Sequence, residues 1–278
     1  VEVSAEYNHA ELESWRIKVD VTLFSSASVI LGAVILSIGG MLIVRKSVSL
    51  SSLRSHHDVT DPLLAVLGTL FAILLGFMLA NSMQRFESAR DNLQQEAGAA
   101  GDIFRLADGL PATARDKSRK DCLAYFDAVI VDEWPMMGHK KLSDKAWNVY
   151  GDLWEDCVHY QPSTQAESDI HQTLLASMTK LGECRRARAA QITYTLPTTL
   201  WFVVFFGAFT TISFTYFFAV ENVRLQILMT SIITMIIGLN IYMLAGYDGP
   251  FSGDIALTPA AFESTRTSLL RVQNHEAH

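Results

Sequence analysis

The sequence predicts an all-α membrane protein: four transmembrane helices, with a helical cytoplasmic domain inserted between spans two and three. Three observations lead there. Stretches at roughly 21–44, 62–84, 189–220 and 225–247 hold no Asp, Glu, Lys, Arg or His, and each reaches the about 20 predominantly apolar residues that a bilayer crossing needs. A buried soluble helix rarely stays uncharged on every face for that length. Hydrophobic residues make up 50% of a chain of only 278 residues, a share that a lipid-facing surface accounts for. Residues 85–188, by contrast, are polar and place their apolar side chains at helical spacing.

The first run, VTLFSSASVILGAVILSIGGMLIV, exceeds the roughly 7–15 apolar residues of a signal-peptide core, and its N-side flank, EYNHAELESWRIKVD, is acidic rather than basic. Ser25, Ser26, Ser28, Gly32, Gly39 and Gly40 suit close helix packing, although Gly32 and Gly40 lie too far apart for a GxxxG pair. Before the second run stands TDP, where Asp61 is placed to cap and Pro62 to open the helix. That helix turns polar only at Asn81, Ser82 and Gln84. The third run begins inside helical material and meets Pro197, where a helix kinks or restarts. Trp201 and Tyr216, toward its ends, suit the two membrane interfaces. The short ENVR turn makes spans three and four a tight hairpin, and the fourth span carries one amide, Asn240, and Tyr242.

Between the hairpins, Phe86, Ala89, Leu93, Ala97, Ala100, Phe104 and Ala107 recur every three or four residues and form one helical face, ending at Gly109 before Pro111. A second helix presents Cys122, Leu123, Phe126, Val129, Ile130 and Trp134 and stops at Pro135. A third runs about 143–160 with Leu142, Ala146, Val149, Tyr150, Leu153, Trp154, Cys157 and Val158 on its inner face. A fourth starts near Ser163 and Thr164 and is expected to run on into span three. No Gly/Ser/Pro linker separates these helices from the membrane part, so the domain is expected to be rigidly coupled to it. The division is then 1–84 (N-terminal segment and first hairpin), 85–188 (cytoplasmic helical domain), 189–247 (second hairpin) and 248–278 (C-terminal tail).

An even number of spans puts the N-terminus, middle domain and C-terminus on one side. Near the membrane that side holds Arg16, Lys18, Arg85, Arg90, Lys180, Arg185, Arg186, Arg188 and Arg266, against Arg45, Lys46, Arg54 and Arg224 opposite. The Lys/Arg bias makes the richer side cytoplasmic. Cys122, Cys157 and Cys184 are few, odd in number and free of CxxC spacing, and read as core thiols. A formal net charge of -7 argues against nucleic acid as a partner.

No nucleotide-binding, zinc-protease or hydrolase signature is present, so no enzyme and no cofactor is expected. His56, His57 and Asp58 are the densest candidate metal ligands, but they read as a polar loop, and His139, His159 and His171 are scattered. Glu87, Asp91, Glu96 and Asp102 recur beside Arg90 and Arg105, which reads as a solvated salt-bridge face or subunit-interface pairs rather than acid–base machinery. Membrane runs without an ionisable group argue against a proton-coupled transporter and leave a passive pore open. In the second span Thr69, Ile73 and Phe77, at i, i+4 and i+8, share one stripe. Lipid-facing or packing residues make the same pattern.

The segment LLGFMLANSMQRFESARDNLQQEAGAAGDIFRLA resembles the bestrophin signature, in which a second span with Gly-Phe near its middle leads into an Arg-aromatic pair and a long cytoplasmic helix. Gly76–Phe77 and Arg85–Phe86 stand in that relation. YDGPFSGDIALTPAAF, with Pro250 and Phe251, is similar to the bestrophin turn after the last span. The resemblance extends over nearly the whole chain and points to the prokaryotic bestrophin-like domain proteins. It implies a passive chloride or small-anion channel in the bacterial inner membrane, multi-pass, pentameric and with both termini cytoplasmic. By position it makes Thr69, Ile73 and Phe77 the pore neck and puts Asn81, Gln84 and Arg85 at the cytoplasmic mouth. Its partners would be the lipid bilayer, small inorganic anions and further copies of the chain. Phe86 stands where bestrophins usually have Trp, Thr69 is a polar neck residue, and the acidic calcium-binding cluster is absent: only Asp254 follows Pro250–Phe251 before an apolar run. The rival readings are a non-conducting membrane scaffold or sensor that binds a cytoplasmic protein, and an alternating-access carrier. The hairpins show no inverted repeat, which disfavours the carrier.

The orientation has a direct test. A cysteine introduced at Ser52 of a cysteine-free chain should react with a membrane-impermeant maleimide in intact cells, while cysteines in 85–188 stay protected. The reverse pattern would invert the topology.

Overall fold

The computed structural model describes residues 27–47, 57–218, 220–253 and 255–276, with 57–61 and 276 described by backbone alone. The flank 1–20, Ser25, Ser26, the His56–His57–Asp58 group, the Asp61 cap and Asp254 lie outside what is described. Two compact units result: one ends at Met83 and resumes over Leu196–Asp248, and the other comprises Gln84–Thr195 and the chain from Gly249.

The first unit holds four helices of membrane length: α1 (Ala27–Ser47), the N-terminal part of α2 (His57–Leu106), and the later α7 (Thr198–Thr215) and α8 (Val223–Asp248). Pro62 lies inside α2 rather than opening it, since the helix already begins at His57. Lipid-exposed helices have little hydrophobic reason to associate, so small and hydroxyl residues carry the contacts. Phe71 of α2 fills the space over Gly207 of α7, where a Cβ would come within 2.4 Å of its ring. The Tyr216 ring lies on Gly40 of α1 in the same way, at 3.1 Å. Ser37 accepts from Thr234 at 3.0 Å, and the Thr215 and Thr230 hydroxyls are 3.4 Å apart, all four side chains being buried. Arg45 closes the hairpin end. Its guanidinium donates to the Val220 and Glu221 carbonyls at 2.8 and 2.9 Å and to Gln226 Oε1 at 2.6 Å.

The second unit begins with the C-terminal part of α2, a single helix of 50 residues and so about 75 Å long. The expected face is the one it buries: Phe86, Ala89, Leu93, Ala97, Ala100, Phe104 and Ala107 all lie in the core. A 3-10 turn (Ala107–Gly109) leads into α3 (Ala112–Asp127), a π-helical turn (Ala128–Glu133) and α4 (Trp134–Met137). The helix therefore does not stop at Pro135. Proline brings no N–H, and the widened turn, in which Trp134 N–H reaches Val129 O, carries the chain past it. Next comes α5 (Asp144–His159), N-capped by Ser143, whose hydroxyl accepts from Ala146 N–H. On its inner face Ala146, Tyr150, Leu153 and Cys157 are buried, while Trp154 and Val158 are exposed. α6 (Gln165–Thr193) opens with a variant of the capping box: Thr164 accepts from Glu167 N–H, and Glu167 reaches one residue beyond the cap to accept from Ser163 N–H. α9 (Ala260–Glu276) brings Phe262 and Leu269 into the same core.

The expectation that the helix of 165–193 runs on into span three is corrected. α6 ends at Thr193, residues 194–197 are not helical, and α7 restarts at Thr198. Pro197 disfavours helix at Leu196 and cannot donate within a continuing ladder. The Leu196 N–H is taken up by Asp248 at the end of α8, at 2.7 Å.

The core of the second unit is organised around a buried ionic cluster. The reading of Glu96 as part of a solvated charged face is corrected here: Glu96 and Glu133 are 0% exposed, Arg188 0% and Arg185 1%. Arg188 grips Glu96 with two hydrogen bonds of 2.7 and 2.8 Å and donates to Glu133 at 2.6 Å. Arg185 grips Glu133 at 2.8 and 3.2 Å. Tyr125 donates to Glu96 at 2.5 Å and Ser143 N–H to Glu133 at 3.3 Å. Two carboxylates and two guanidinium groups balance to zero. Burial alone would make Arg188 easier to deprotonate, but the charge and hydrogen bonds of Glu96 outweigh it and hold the guanidinium still more firmly charged. Burial and the Glu96 charge both push the Tyr125 phenol upward, keeping it a donor.

Removing one member strands the others. Arg188→Met should destabilise the second unit by about 3–5 kcal/mol. Arg90→Met, which loses only the exposed pair with Glu87, should cost at most about 1 kcal/mol. Tryptophan fluorescence during unfolding in detergent reads both. Equal effects would mean the cluster does not hold the unit.

Candidate functional site

The second helix divides its surface sharply within the first unit. Phe71, Leu74, Leu75, Met78 and Leu79 face the chain's own helices, with Leu75 buried and the others half-buried. Leu74, Met78 and Leu79 pack on the small cluster of Leu196, Val204 and Leu244. The opposite stripe, Val66, Thr69, Leu70, Ile73 and Phe77, meets solvent, and Phe77 is 73% exposed. The chain leaves most of this stretch uncovered, with only 6% of its most apolar part buried. Gly68 and Gly76 have open space around them, with nothing within 4 Å of where a Cβ would stand.

Thr69, Ile73 and Phe77 thus share the uncovered stripe. The Thr69 hydroxyl donates back to Ala65 O at 2.7 Å and so turns its lone pairs, not its proton, outward. Asn81 is exposed on the same helix in the first unit. Gln84 opens the second unit, also exposed, and its carbonyl accepts from Ser88 at 2.9 Å. Arg85 takes a more definite position than the sequence suggested. Its guanidinium donates to the Tyr194 hydroxyl and lies 4.3 Å from the centre of that ring, combining a hydrogen bond with cation–π attraction. Glu87 pairs with Arg90 at 3.7 Å. Phe86 points the other way and is buried.

The Pro250–Phe251 segment folds into the second unit. Leu257 N–H donates to Pro250 O at 2.8 Å, closing the loop, and Gly253 has a positive φ of 86° that favours glycine. Phe251 is buried edge-on against Trp134 at 6.1 Å. It lies far down the chain from the neck residues, and its role here is packing.

Missed in the sequence were the ionic cluster, the Tyr194 hold on Arg85 and the capping groups Arg45 and Asp248. A signal for the cluster existed. Glu96 falls on the stripe of Ala89, Leu93, Ala97 and Ala100, and Arg185 and Arg188 fall among Leu181, Cys184 and Ile192. Charges placed on an apolar face mark buried ion pairs.

The sequence profile of the bestrophin-like domain matches residues 31–262. The chain belongs to the bestrophin-like domain family. A point variant of a bacterial bestrophin homologue from Klebsiella pneumoniae superposes with a TM-score of 0.69 at 14% identity, covering 87% of this chain and 99% of that one. A structure described as a membrane protein gives 0.67 at 15% identity, covering 88% and 98%. Another crystal structure of the Klebsiella pneumoniae homologue gives 0.66 at 15% identity, covering 87% and 97%. At these identities the likeness establishes the fold. No curated protein matches the sequence. This bestrophin-like chain is a multi-pass membrane protein. Among the described residues no three His, Cys, Asp or Glu side chains are grouped to hold a metal ion.

The two faces of α2 should respond differently to truncation. In single chains dispersed in detergent, Leu75→Ala should cost about 2–5 kcal/mol, whereas Phe77→Ala should stay within about 1 kcal/mol. Unfolding in graded SDS measures both. A large cost at Phe77 in dispersed chains would show that the stripe packs within the chain after all.

Proposed function

We propose that the protein is a passive channel for chloride or other small anions. In this reading it is a homo-oligomer, pentameric by family resemblance, in the bacterial inner membrane with its termini cytoplasmic. Copies of α2 line the axis. The observation that carries the reading is the uncovered stripe of α2, which bears Thr69, Ile73 and Phe77 in line. Open space at Gly68 and Gly76 supports close approach of another copy.

Ile73 and Phe77 form the constriction. Apolar rings exclude water, so wetting them is the barrier to flow, and the positive edges of phenylalanine rings tolerate an anion better than a cation. Thr69 adds a hydroxyl, which serves as a donor only after leaving its bond to Ala65 O. Asn81 and Gln84 supply amides at the cytoplasmic mouth, and Arg85, held on Tyr194, supplies fixed positive charge. The pairing of Glu87 with Arg90 supports anion preference, because it balances an acidic group that would otherwise favour cations.

The absence of ionisable groups from the membrane runs supports passive flow over ion-coupled transport. Flux from liposomes decides between channel and scaffold. Phe77→Ala and Ile73→Ala should each raise chloride flux several-fold while chloride stays ahead of sodium. An assembled wild type and neck variants that are all silent would leave the scaffold. Sodium ahead of chloride in every variant would remove the anion assignment and keep the pore.

A further inference from the structure

Arg85 and Tyr194 meet from opposite ends of one stretch of chain. Arg85 is the second residue of the second unit as α2 enters it, and Tyr194 is the last but one before the chain leaves for α7. The local sequence frees Tyr194 for this contact. α6 ends at Thr193, and Tyr194 is extended, with φ −74° and ψ 131°. Pro197, three residues on, keeps the chain from resuming a helix before it. From this joint the side chain reaches α2. Arg85 Nη1 donates to the Tyr194 hydroxyl, and the guanidinium carbon lies 4.3 Å from the ring centre.

Two contacts from one ring fix both the reach and the direction of a side chain that otherwise samples many rotamers. Neither contact brings negative charge: the phenol is neutral, and the ring attracts the cation through its quadrupole. A glutamate in the same place would hold the guanidinium as firmly and cancel its charge. The phenol oxygen is used as an acceptor, which leaves its O–H proton to be given elsewhere. Among the described residues none takes it, and Tyr194 is 45% exposed.

We propose that Tyr194 is a specificity-determining residue for anion flow: it positions the Arg85 guanidinium without adding negative charge, and offers its own O–H as a second donor to the anion. The proposal rests on the channel reading, and it names the residue through which that reading obtains its charge preference. Asn81 and Gln84 are neutral amides that can meet an anion by N–H or a cation by C=O, so they do not choose by charge. Arg85 does. Its field fades over about 8 Å at physiological salt, so a guanidinium held in one place discriminates better than one that swings. Tyr194 acts on selectivity partly through Arg85, which makes it a positioning residue for that charge.

The test is the ratio of chloride to sodium flux from liposomes holding the full chain, read at low and at high salt. Tyr194→Phe keeps the ring and loses the hydroxyl, and should lower the ratio modestly. Tyr194→Leu loses both contacts and should lower it several-fold. Tyr194→Glu should lower it furthest, as far as Arg85→Gln, whereas Arg85→Lys should keep most of the preference. The differences should shrink at high salt, where the field is screened; a purely structural effect of residue 194 would not follow salt or the order Phe, Leu, Glu. Modification of Arg85 by phenylglyoxal, read by mass spectrometry, reports the hold without any flux and should be faster in Tyr194→Leu than in the wild type. Flux with the same ratio in wild type, Tyr194→Leu and Tyr194→Glu overturns the proposal and leaves the channel standing. So does an Arg85 modification rate unmoved by Tyr194→Leu. A wild type that passes neither ion removes the channel reading itself, and the proposal with it, even where the modification rate shows Tyr194 holding Arg85.

Discussion

The second unit depends on four charges placed where charge is most expensive. Glu96, Glu133, Arg185 and Arg188 come from three separate stretches of chain and are held by seven hydrogen bonds among themselves and Tyr125's phenol. Such a cluster need not be more stabilising than an apolar core of the same shape. It is more specific, because any slip in register leaves a carboxylate or a guanidinium buried alone. The π turn follows from the same demand: it ends at Glu133 and carries that residue into the cluster. The aromatic wall completes it. Arg185 lies 4.6 Å from the Trp147 ring and Arg188 5.8 Å from the Phe262 ring, so α5 and α9 also pack against the charges.

The membrane unit solves a different problem with weaker means. Lipid tails are as apolar as leucine, so its helices gain little by hiding leucine from lipid. They meet instead where a glycine admits a ring, as at Gly207 and Gly40, or where buried hydroxyls pair, as between Ser37 and Thr234. α1, α7 and α8 take part in the hydroxyl contacts. α2 joins through Phe71 and the apolar face beside it, which leaves its other side for lipid or for another copy.

The helices were legible in the sequence because their signals are long and redundant. Absence of charge over each apolar run needs no partner to interpret, and the 3.6-residue stripe of 86–107 predicted its buried face residue by residue. Trp154 and Val158 failed because a stripe's width depends on how many helices cover it, which periodicity does not encode. The continuation of α6 into span three failed because the pull of Pro197 on its neighbours competed with the strong helical pattern around 189–193. Glu96 failed for a third reason. Charge type alone was read as a solvent signal, although its position on the apolar face said otherwise, and only the arrival of Arg188 from 92 residues away resolves the conflict.

That last point bears on orientation arguments in general. Of the cations counted toward the cytoplasmic side, Arg185 and Arg188 are sealed in the folded protein, Arg85 lies on Tyr194, and Arg266 is paired with Asp127 at 2.7 Å. On the opposite side Arg45 is occupied by two carbonyls and a glutamine. The Lys/Arg bias acts during insertion, before these partners exist, so structural duty in the finished fold does not cancel a residue's vote on topology. The converse holds for conduction. A cation contributes to an anion path only through the field it retains after pairing. Arg188, held by two buried carboxylates, has its charge balanced inside the fold and retains little field for an anion path.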